Sequence, residues 1–225
     1  MKITIINGSP RKNGSTFKIL NYFKEFLENN YGINIIFVNL IDYNIKYCVG
    51  CQNCYMTGKC VFLEDGIEEI HDTIKASSGI IFGSPNYATN VSGIFRNFHD
   101  RVHMTMEQLL YRKPCINVMT YENLNIMATK ALVIMKEIVR NSGGYNVNSM
   151  AIKNHFNNDP LSNKNKQKIE KAAKNLEKKI KKNKMPLFSL LFSKIAMHIG
   201  LKPFVYKNKE HNQGIINSWK ELKII

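Results

Sequence analysis

Five short apolar runs, separated by stretches of helical periodicity, constrain the fold of this chain more than any other feature. Each run holds Ile or Val and is bounded by Gly, Pro or Asn, as buried strands are. The predicted strands are Lys2–Asn7, Ile33–Leu40, Gly79–Phe82, Pro114–Thr120 and Asn146–Ile152. Because strands that alternate with helices need crossover connections, the pattern predicts a parallel sheet that helices cover on both faces.

A helix is predicted in each gap between these strands, and another follows the fifth. The first helix begins at Ser15 or Thr16, one of which caps it, and ends before Gly32. The others cover Gly66–Lys75, Ser92–Val102, 125–141 and 164–184. A doubly wound sheet of five strands favours the order 2-1-3-4-5 and binds ligands beyond the carboxyl ends of its strands. Residues 1–185 are therefore predicted to form one α/β domain.

The formal net charge of +15 suggests an anionic partner, but much of that charge lies in one segment. Residues 164–184 hold ten Lys and two Glu, a net charge of +8, so the other 204 residues carry +7. An apolar stripe at helical spacing runs through the segment and comprises Ile169, Ala172, Ala173, Leu176 and Ile180. The lysines therefore fall on the solvated face of a helix, and we expect no nucleic-acid partner. A basic module that binds nucleic acid or an anionic membrane is the alternative from another functional class.

The composition supports a packed core, since 44% of the 225 residues are hydrophobic and 22% are charged. The sequence contains no run of eighteen or more uncharged apolar residues, so we expect no stable membrane insertion. The apolar run at the N-terminus is too short for a secretory signal, and no small-residue cleavage site follows it. A cytoplasmic protein is therefore expected.

Residues 186–225 follow the last unit of the α/β domain and are predicted to form a C-terminal amphipathic extension. Pro186 breaks the Lys-rich helix, and a second apolar stripe then begins. That stripe ends at Gly200 and comprises Phe188, Leu191, Phe192, Ile195 and Ile199. It can dock on its own domain, on a second subunit or on a membrane surface. We favour oligomerisation and expect a homodimer or a homotetramer.

The loop after the first strand, Gly8–Thr16, has the chemistry of a phosphate site. It is dense in turn formers and leads into a helix, whose free backbone N–H groups and dipole attract anions. The hydroxyls of Ser9, Ser15 and Thr16 face the same pocket, and Arg11 adds a charged contact. The loop lacks the Gly-Lys-Ser/Thr ending of a P-loop, so triphosphate hydrolysis is disfavoured. It also lacks the Gly-x-Gly-x-x-Gly motif of a dinucleotide fold, so a Rossmann-bound nicotinamide is disfavoured.

The loop after the third strand, Gly83–Gly93, lies beside the first loop in the predicted strand order. Pro85 fixes its turn, and Tyr87 offers an aromatic face. Asn86 and Asn90 offer amide groups. A flat heteroaromatic ring with polar edges can stack and hydrogen-bond there. Together the two loops predict a site for a mononucleotide such as FMN.

Four of the five cysteines, Cys48, Cys51, Cys54 and Cys60, lie within thirteen residues in the loop 44–60. Their spacing, C-x2-C-x2-C-x5-C, suits four thiolates around a single 4Fe–4S cluster. The spacing alone leaves open zinc, a redox-active disulfide or free thiols. A structural disulfide framework is disfavoured in a chain of this size without a signal sequence. The fifth, Cys115, sits in an apolar run and is predicted to be a buried thiol.

The histidines give little indication of a site. His99 and His103 are four residues apart near a helix end, but the sequence places no cysteine or second carboxylate to complete a metal site. The remaining four are isolated in the sequence, namely His71, His155, His198 and His211. No Ser–His–Asp arrangement is legible, so hydrolysis is not expected.

Three stretches, taken in order, carry a resemblance to a known family. They are Asn7-Gly8-Ser9-Pro10-Arg11 with Gly14-Ser15-Thr16, the Cys48–Cys60 motif with Glu64-Asp65, and Gly83-Ser84-Pro85-Asn86-Tyr87 with Ser92-Gly93. Through them the chain resembles the flavodoxin-like NAD(P)H-dependent FMN reductases, and specifically the iron–sulfur flavoproteins. The resemblance implies that the FMN phosphate contacts Ser9, Arg11, Asn13, Ser15 and Thr16. It further implies that the isoalloxazine ring borders Pro85, Asn86, Tyr87 and Asn90.

The resemblance also implies an oxidoreductase. A reduced nicotinamide or a protein donor supplies electrons to FMN, and a 4Fe–4S cluster on the four cysteines passes them to an acceptor. The cofactors carry the chemistry, so we predict binding residues and no catalytic side chain. The same fold also accommodates an electron carrier without substrate turnover, which is the closest alternative.

A third loop, Thr120–Asn125, departs from the family's pattern. In the family this loop is Gly-rich and approaches the flavin closely. Here it contains no glycine. Side chains are therefore expected to narrow the ring site or to replace backbone contacts.

Overall fold

The computed structural model describes residues 1–122, 124–154 and 159–225, so Asn123 and His155 lie outside the described part. The strands are β1 (Lys2–Asn7), β2 (Asn34–Asn39), β3 (Gly79–Pro85), β4 (Pro114–Tyr121) and β5 (Tyr145–Lys153). All neighbouring strands pair in parallel, and their order is β2-β1-β3-β4-β5. The predicted strand order and the flavodoxin-like fold are confirmed.

Helices flank this sheet. They are α1 (Ser15–Tyr31), α2 (Asn53–Thr57), α3 (Ile67–Lys75), α4 (Gly93–Arg101), α5 (Met104–Glu107), α6 (Asn125–Asn141), α7 (Asn163–Lys182), α8 (Leu187–Ile195), α9 (Lys202–Lys207) and α10 (Gln213–Glu221). A 3₁₀ turn covers Leu40–Asp42, and a π-helical segment, Ala196–Leu201, joins α8 to α9. The sequence predicted α1, α3, α4, α6 and α7, whereas α2 and α5 are too short to produce a periodic pattern.

Apolar side chains form one large cluster on each face of the sheet. Helices α1 and α7 cover one face, where Phe23 and Leu176 are fully buried. Helices α3, α4 and α6 cover the other, where Ile70, Phe98 and Met135 are buried. The apolar stripe of the Lys-rich helix α7 thus faces the sheet, as predicted.

Two boundaries at the carboxyl edge of the sheet differ from the predicted ones. Strand β3 continues to Pro85, three residues further than expected, because Pro85 still pairs with Thr120 of β4. The prediction that Ser15 or Thr16 caps α1 was wrong. The N-cap is Gly14 in an extended conformation, and its carbonyl accepts the first helical hydrogen bond. Both hydroxyls are therefore released from capping.

The C-terminal extension consists of an exposed part and a docked part. In α8, Leu187 and Phe188 are 81% and 82% exposed. Further along, Val205, Ile215 and Trp219 are fully buried and form a third apolar cluster with α2 and α5. The extension therefore docks on its own domain through α9 and α10.

The segment Leu187–Lys207 is a candidate membrane span within the described residues. It is a 21-residue helix, and only 17% of its most apolar window is buried. By length and composition it is able to cross a membrane. The search for an uninterrupted apolar run missed it because Lys194 and Lys202 interrupt the pattern.

Candidate functional site

The first and second loops meet at the carboxyl edge of the sheet and enclose a cavity of about 410 Å³. This volume lies in the range of small-molecule sites. The predicted residues that line it are Ser9, Arg11, Ser15, Thr16, Pro85, Asn86 and Tyr87. Asn13 and Asn90, which were also predicted, are not among the lining residues. The cavity also includes Thr120, Tyr121 and Glu122 of the third loop, and Met127 and Asn154, which the sequence analysis did not assign to the site.

Side chain to backbone hydrogen bonds hold the first loop in shape. The Ser9 N–H donates to Asn7 Oδ1 at 3.1 Å, and the Arg11 N–H donates to Ser9 Oγ at 3.1 Å. Gly8 packs so closely that an added Cβ would lie 2.6 Å from Phe95 Cδ2. A glycine is therefore required where the loop leaves β1.

Ser92 fastens the second loop to the first. Its hydroxyl donates to the Gly8 carbonyl and accepts the Phe95 N–H at the start of α4. The Gly8 N–H in turn donates to the Gly83 carbonyl at 2.8 Å. The two loops thus form one connected edge.

A tight turn between Tyr87 and Asn90 leaves the Tyr87 ring 41% exposed beside the cavity. Ala88 and Thr89 adopt left-handed backbone angles, with φ of 48° and 65°. The Asn90 side chain accepts its neighbour's N–H, from Val91, at 2.8 Å.

Asn86 carries an unmet hydrogen-bond acceptor. Its N–H donates to the Thr120 carbonyl at 2.7 Å, which anchors the residue to β4. Its side-chain Oδ1 is buried and has no hydrogen-bond partner among the described residues. Because buried polar atoms are normally satisfied, the cavity presents an acceptor that suits an N–H group of a ligand.

The third loop contributes side chains to the cavity, as its lack of glycine predicted. Thr120 Oγ1 lies 2.7 Å from Thr16 Oγ1 in a buried hydrogen bond. Tyr121 and Glu122 line the cavity directly. The site is therefore bounded by the ends of β1, β3 and β4.

The loop 44–60 is here called the Cys loop. Its four cysteines converge on one small cavity of about 40 Å³. None of these four forms a disulfide, and Cys48 and Cys51 are exposed whereas Cys54 and Cys60 are partly buried. Cys115, in contrast, is buried in β4. The loop therefore gathers the predicted ligands around one point.

A buried ion pair fixes one wall of the Cys cavity. Arg101 Nη1 donates to Asp65 Oδ2 at 2.8 Å, and both side chains are at most 3% exposed. Arg101 Nη2 donates to Cys60 Sγ at 3.2 Å, and its guanidinium lies 4.9 Å from the centroid of the Phe62 ring. A positive charge thus sits against the sulfur of a predicted ligand.

One thiol of the loop, that of Cys54, is kept protonated by its surroundings. Burial, the nearby Glu107 carboxylate and the neighbouring thiols together raise the pKa of Cys54 to about 12. A bound metal centre is what deprotonates such a thiol outright.

The docked part of the extension supports the Cys loop from one side. A Cβ added at Gly214 of α10 would lie 2.1 Å from the Gly58 nitrogen and 2.9 Å from the Cys54 carbonyl oxygen. His211 Nε2 lies 2.7 Å from Gln52 Oε1 across 159 residues of sequence. The ligand loop is therefore held by a segment distant in the chain.

His71, which is isolated in the sequence, lies with His103 beside the Cys loop. His71 Nε2 is 2.9 Å from Glu107 Oε2, and His103 Nδ1 is 2.7 Å from Glu107 Oε1. The two rings stack with centroids 4.7 Å apart. The sequence analysis found no second carboxylate near His103, but Glu107, four residues further on, contacts its ring, and His71 joins them because it approaches Glu107 in the folded chain.

Charges compensate within this buried group. Burial opposes ionisation of Glu107, but hydrogen bonds from His103 and His71 hold its pKa well below the usual value. Burial likewise opposes protonation of His103, but Glu107 and Glu68 raise its pKa above the usual value.

Comparisons with known proteins agree with this architecture. The profile of the family described as NADPH-dependent FMN reductase matches residues 1–157. An iron–sulfur flavoprotein of Clostridioides difficile (strain 630) is 45% identical over 227 residues, which cover 100% of both chains. An iron–sulfur flavoprotein of Archaeoglobus fulgidus is 36% identical over 102 residues, or 45% of this chain and 46% of that protein.

Solved structures share the fold. The apo form of an NADH:FMN oxidoreductase has a TM-score of 0.63 at 16% identity, covering 84% of this chain and 92% of that one. An FMN-dependent NADH-azoreductase of Bacillus anthracis, solved with FMN, has a TM-score of 0.63 at 14% identity, covering 78% and 99%. On the family profile and the full-length relative together, the chain belongs to the NADPH-dependent FMN reductase family and, within it, to the iron–sulfur flavoproteins.

Proposed function

We propose that this protein is an FMN-dependent oxidoreductase, which takes electrons from NAD(P)H or a protein donor and passes them to an acceptor. FMN occupies the 410 Å³ cavity, and a 4Fe–4S cluster is held by Cys48, Cys51, Cys54 and Cys60. The observation that carries the proposal is that two loops meet around one cavity. One is the polar first loop, which leads into helix α1, and the other is the second loop, which carries Tyr87. FMN supplies both two-electron and one-electron chemistry when bound, and the cluster exchanges single electrons.

The first loop fits the phosphate end of FMN. Ser9, Ser15 and Arg11 line the cavity beside the N-terminus of the 17-residue helix α1. Free N–H groups and the helix dipole favour an anion there. Since Ser15 does not cap α1, its hydroxyl is available to donate to a phosphate oxygen.

The second and third loops fit the ring end. Tyr87 offers an exposed face for stacking, and Pro85 gives the wall a fixed shape. Asn86 Oδ1, buried without a partner in the described residues, accepts an N–H from the edge of a flavin ring. Burying such an acceptor unpaired costs roughly 1–3 kcal/mol, so ring binding relieves a penalty present in the empty site.

The Cys loop favours an iron–sulfur cluster over a single zinc ion. Around tetrahedral zinc, sulfurs bound at ~2.3 Å lie ~3.8 Å apart. Within the described residues, one group of three or more potential metal ligands has its ligand atoms within 4.8 Å of one another. The four cysteines do not belong to that group. A cubane holds its thiolates further apart, because each binds a different iron. Arg101 offsets the negative charge of four thiolates beside Cys60.

Helix α4 connects the two proposed sites. Its N-cap is Ser92, which joins the two loops of the proposed FMN site, and its last residue is Arg101, which contacts Cys60. Its nine residues span about 14 Å. The proposed flavin and cluster sites are therefore positioned by one rigid element.

Arg11→Gln tests the flavin assignment, with Lys12→Gln as its matched control. Both changes remove one positive charge from the same loop, but Lys12 pairs with Asp42 and does not line the cavity. We expect the FMN dissociation constant to rise about tenfold for Arg11→Gln and to stay within about twofold for Lys12→Gln, since only Arg11 makes a charge-assisted phosphate contact. Quenching of flavin fluorescence during titration measures both constants. Equal constants for the two variants, or an unmodified chain that takes up no FMN, would contradict the proposal.

Two further measurements separate the enzyme from an electron carrier and identify the metal. Steady-state oxidation of NADH or NADPH by the FMN-loaded chain indicates turnover, and its absence favours the carrier. An anaerobic visible spectrum with iron and sulfide analysis reports the cluster. Zinc in place of iron would overturn that part of the proposal.

A further inference from the structure

Two histidines and a carboxylate converge beside the Cys loop, and we propose that they bind one divalent transition-metal ion of the Zn²⁺ or Fe²⁺ type. The ligands are His71 of α3, His103 immediately before α5, and Glu107 at the end of α5. This site is separate from the thiolates of the Cys loop and does not depend on FMN binding.

The ligand atoms are already close enough to share an ion. One nitrogen of each ring and one oxygen of Glu107 lie within 4.8 Å of one another. The two rings approach different oxygens of the carboxylate, at 2.9 Å for His71 and 2.7 Å for His103. Around a tetrahedral ion with bonds of ~2.0–2.1 Å, neighbouring ligand atoms lie ~3.4 Å apart. To reach that spacing from its present carboxylate oxygen, the His71 nitrogen has to withdraw by about 0.5 Å and the His103 nitrogen by about 0.7 Å.

The second nitrogen of each ring also faces a carboxylate. His71 Nδ1 lies 3.4 Å from Asp72 Oδ1, and His103 Nε2 lies 3.4 Å from Glu68 Oε1. Metal-binding histidines characteristically donate their second ring N–H to such a group, which fixes the tautomer and raises the basicity of the ligand. Paired carboxylates on both rings make the arrangement more specific than a single His–Glu bond.

Glu107 is oriented from a third side. Ser218 Oγ of α10 donates to Glu107 Oε2 at 3.0 Å. The side chains of His71, His103 and Glu107 are at most 5% exposed. With neutral imidazoles, a divalent ion balances the charges of the buried Glu107 and the partly buried Glu68, so the carboxylates suit a cation.

Backbone strain places these ligands. His103 has a φ of 39°, and Gln108, which follows Glu107, has a φ of 57°. Left-handed angles at residues other than glycine are sparsely populated and concentrate at functional sites. Here they bound the four-residue helix α5 on both sides and direct His103 and Glu107 toward His71.

A cavity of about 430 Å³ opens onto the site. His71, Glu107, Glu68 and Ser218 line it, with Lys75 and Glu221 in its wall. Three protein ligands beside an accessible cavity leave a coordination position for water or a small substrate, as in catalytic rather than structural metal sites. The site therefore suits a divalent ion that prefers imidazole and carboxylate ligands. It does not suit a monovalent ion that prefers sulfur ligands.

The test is to load the full-length protein, with its own cofactors, with one equivalent of Zn²⁺ and to record zinc X-ray absorption. We expect one zinc per chain with nitrogen and oxygen ligands at ~2.0–2.1 Å, including imidazole scattering. A sulfur shell at ~2.3 Å would place the ion on the Cys loop and overturn the proposal. Failure to retain zinc after gel filtration would overturn it equally. This measurement needs no substitution.

Variants give the second arm. We expect His71→Gln to weaken Zn²⁺ affinity by about 10–100-fold or more in calorimetric titration, the loss seen even for outer-shell partners. His99→Gln is the matched control, because His99 lies in α4 and is not one of the three ligands. Zinc should also raise the melting temperature of the unmodified chain and of His99→Gln, but not of His71→Gln. Equal affinity in the two variants would show that the cluster is a structural ion-pair network only.

Discussion

Replacing Gly214 by Ala should dislodge the C-terminal extension from the Cys loop. The added Cβ would lie 2.1 Å from the Gly58 nitrogen, 2.8 Å from the Thr57 carbonyl carbon and 2.9 Å from the Cys54 carbonyl oxygen. All three are backbone atoms, so no flexible side chain can move aside. To reach the 3.4 Å at which ordinary contact begins, α10 must retreat from α2 by roughly 1.3 Å.

The expected loss of folding free energy follows from the apolar cluster that this movement of α10 would open. Val205, Ile215 and Trp219 are fully buried in the apolar cluster at this junction, and each contributes ~1.5–3 kcal/mol through burial. Overpacking typically costs 1–3 kcal/mol, and with rigid backbone on both sides we expect a loss of about 3 kcal/mol. Because the added Cβ also meets the backbone of Cys54, retention of the proposed 4Fe–4S cluster should fall as well.

Denaturant unfolding and iron content of the full-length protein measure both effects. Gly200→Ala is the matched control, since nothing lies within 4 Å of its added Cβ. That change should be neutral or stabilise the helical segment by up to about 1 kcal/mol. A Gly214→Ala protein that unfolds at the wild-type denaturant concentration and keeps its iron would refute the inferred close contact.

Three other changes test separate parts of the structure. Burial would raise the pKa of Asp65, but hydrogen bonds from Lys46 and Arg101 hold the pKa below its usual value. The ionised carboxylate therefore stabilises the folded chain above the usual pKa of about 3.9, and this stabilisation is lost as the pH falls through the folded-state pKa. Asp65→Asn should cost about 3–5 kcal/mol at neutral pH, because it leaves a buried guanidinium unpaired, and should flatten the acid limb of a stability–pH curve; an unchanged limb contradicts this. Cys51→Ser should lower iron and sulfide content while FMN affinity stays within about twofold, since a serine oxygen is a poor replacement for a soft thiolate; full iron retention argues against the cluster ligand set. Phe188→Asp should lower the solution mass by light scattering, because the exposed stripe of α8 is our expected subunit contact; an unaltered mass excludes that contact.

Local patterns were sufficient to predict the sheet and the edge at which its ligands bind. Ile and Val runs bounded by Gly and Pro mark buried parallel strands, and the doubly wound order then places Ser9 beside Pro85 without further information. The four cysteines converge because they share one short loop. Each of these features depends on residues close in sequence or on a general topological rule.

The parts that sequence analysis missed depend on contacts between distant residues. His71 and Glu107 are 36 residues apart and meet only through packing of α3 on α5. Trp219 and Met106 are 113 residues apart, so the docking of α10 leaves no periodic signal. The capping error at Ser15 has a different cause, since Gly14 supplies an extended residue one position earlier. Propensity alone does not decide between adjacent cap positions.

The dependence of the Cys loop on α10 sets an order of events during biosynthesis. Gln52 of the loop and His211 beside α10 are separated by 159 residues, which a ribosome adds in roughly 8–30 s. Throughout that interval the cysteines of the Cys loop have been synthesised, but α10, which supports the loop in the folded chain, has not. Under the proposed assignment, iron delivery to this loop therefore follows translation of the tail, and conditions that slow elongation prolong the period in which oxidants reach the unprotected sulfurs.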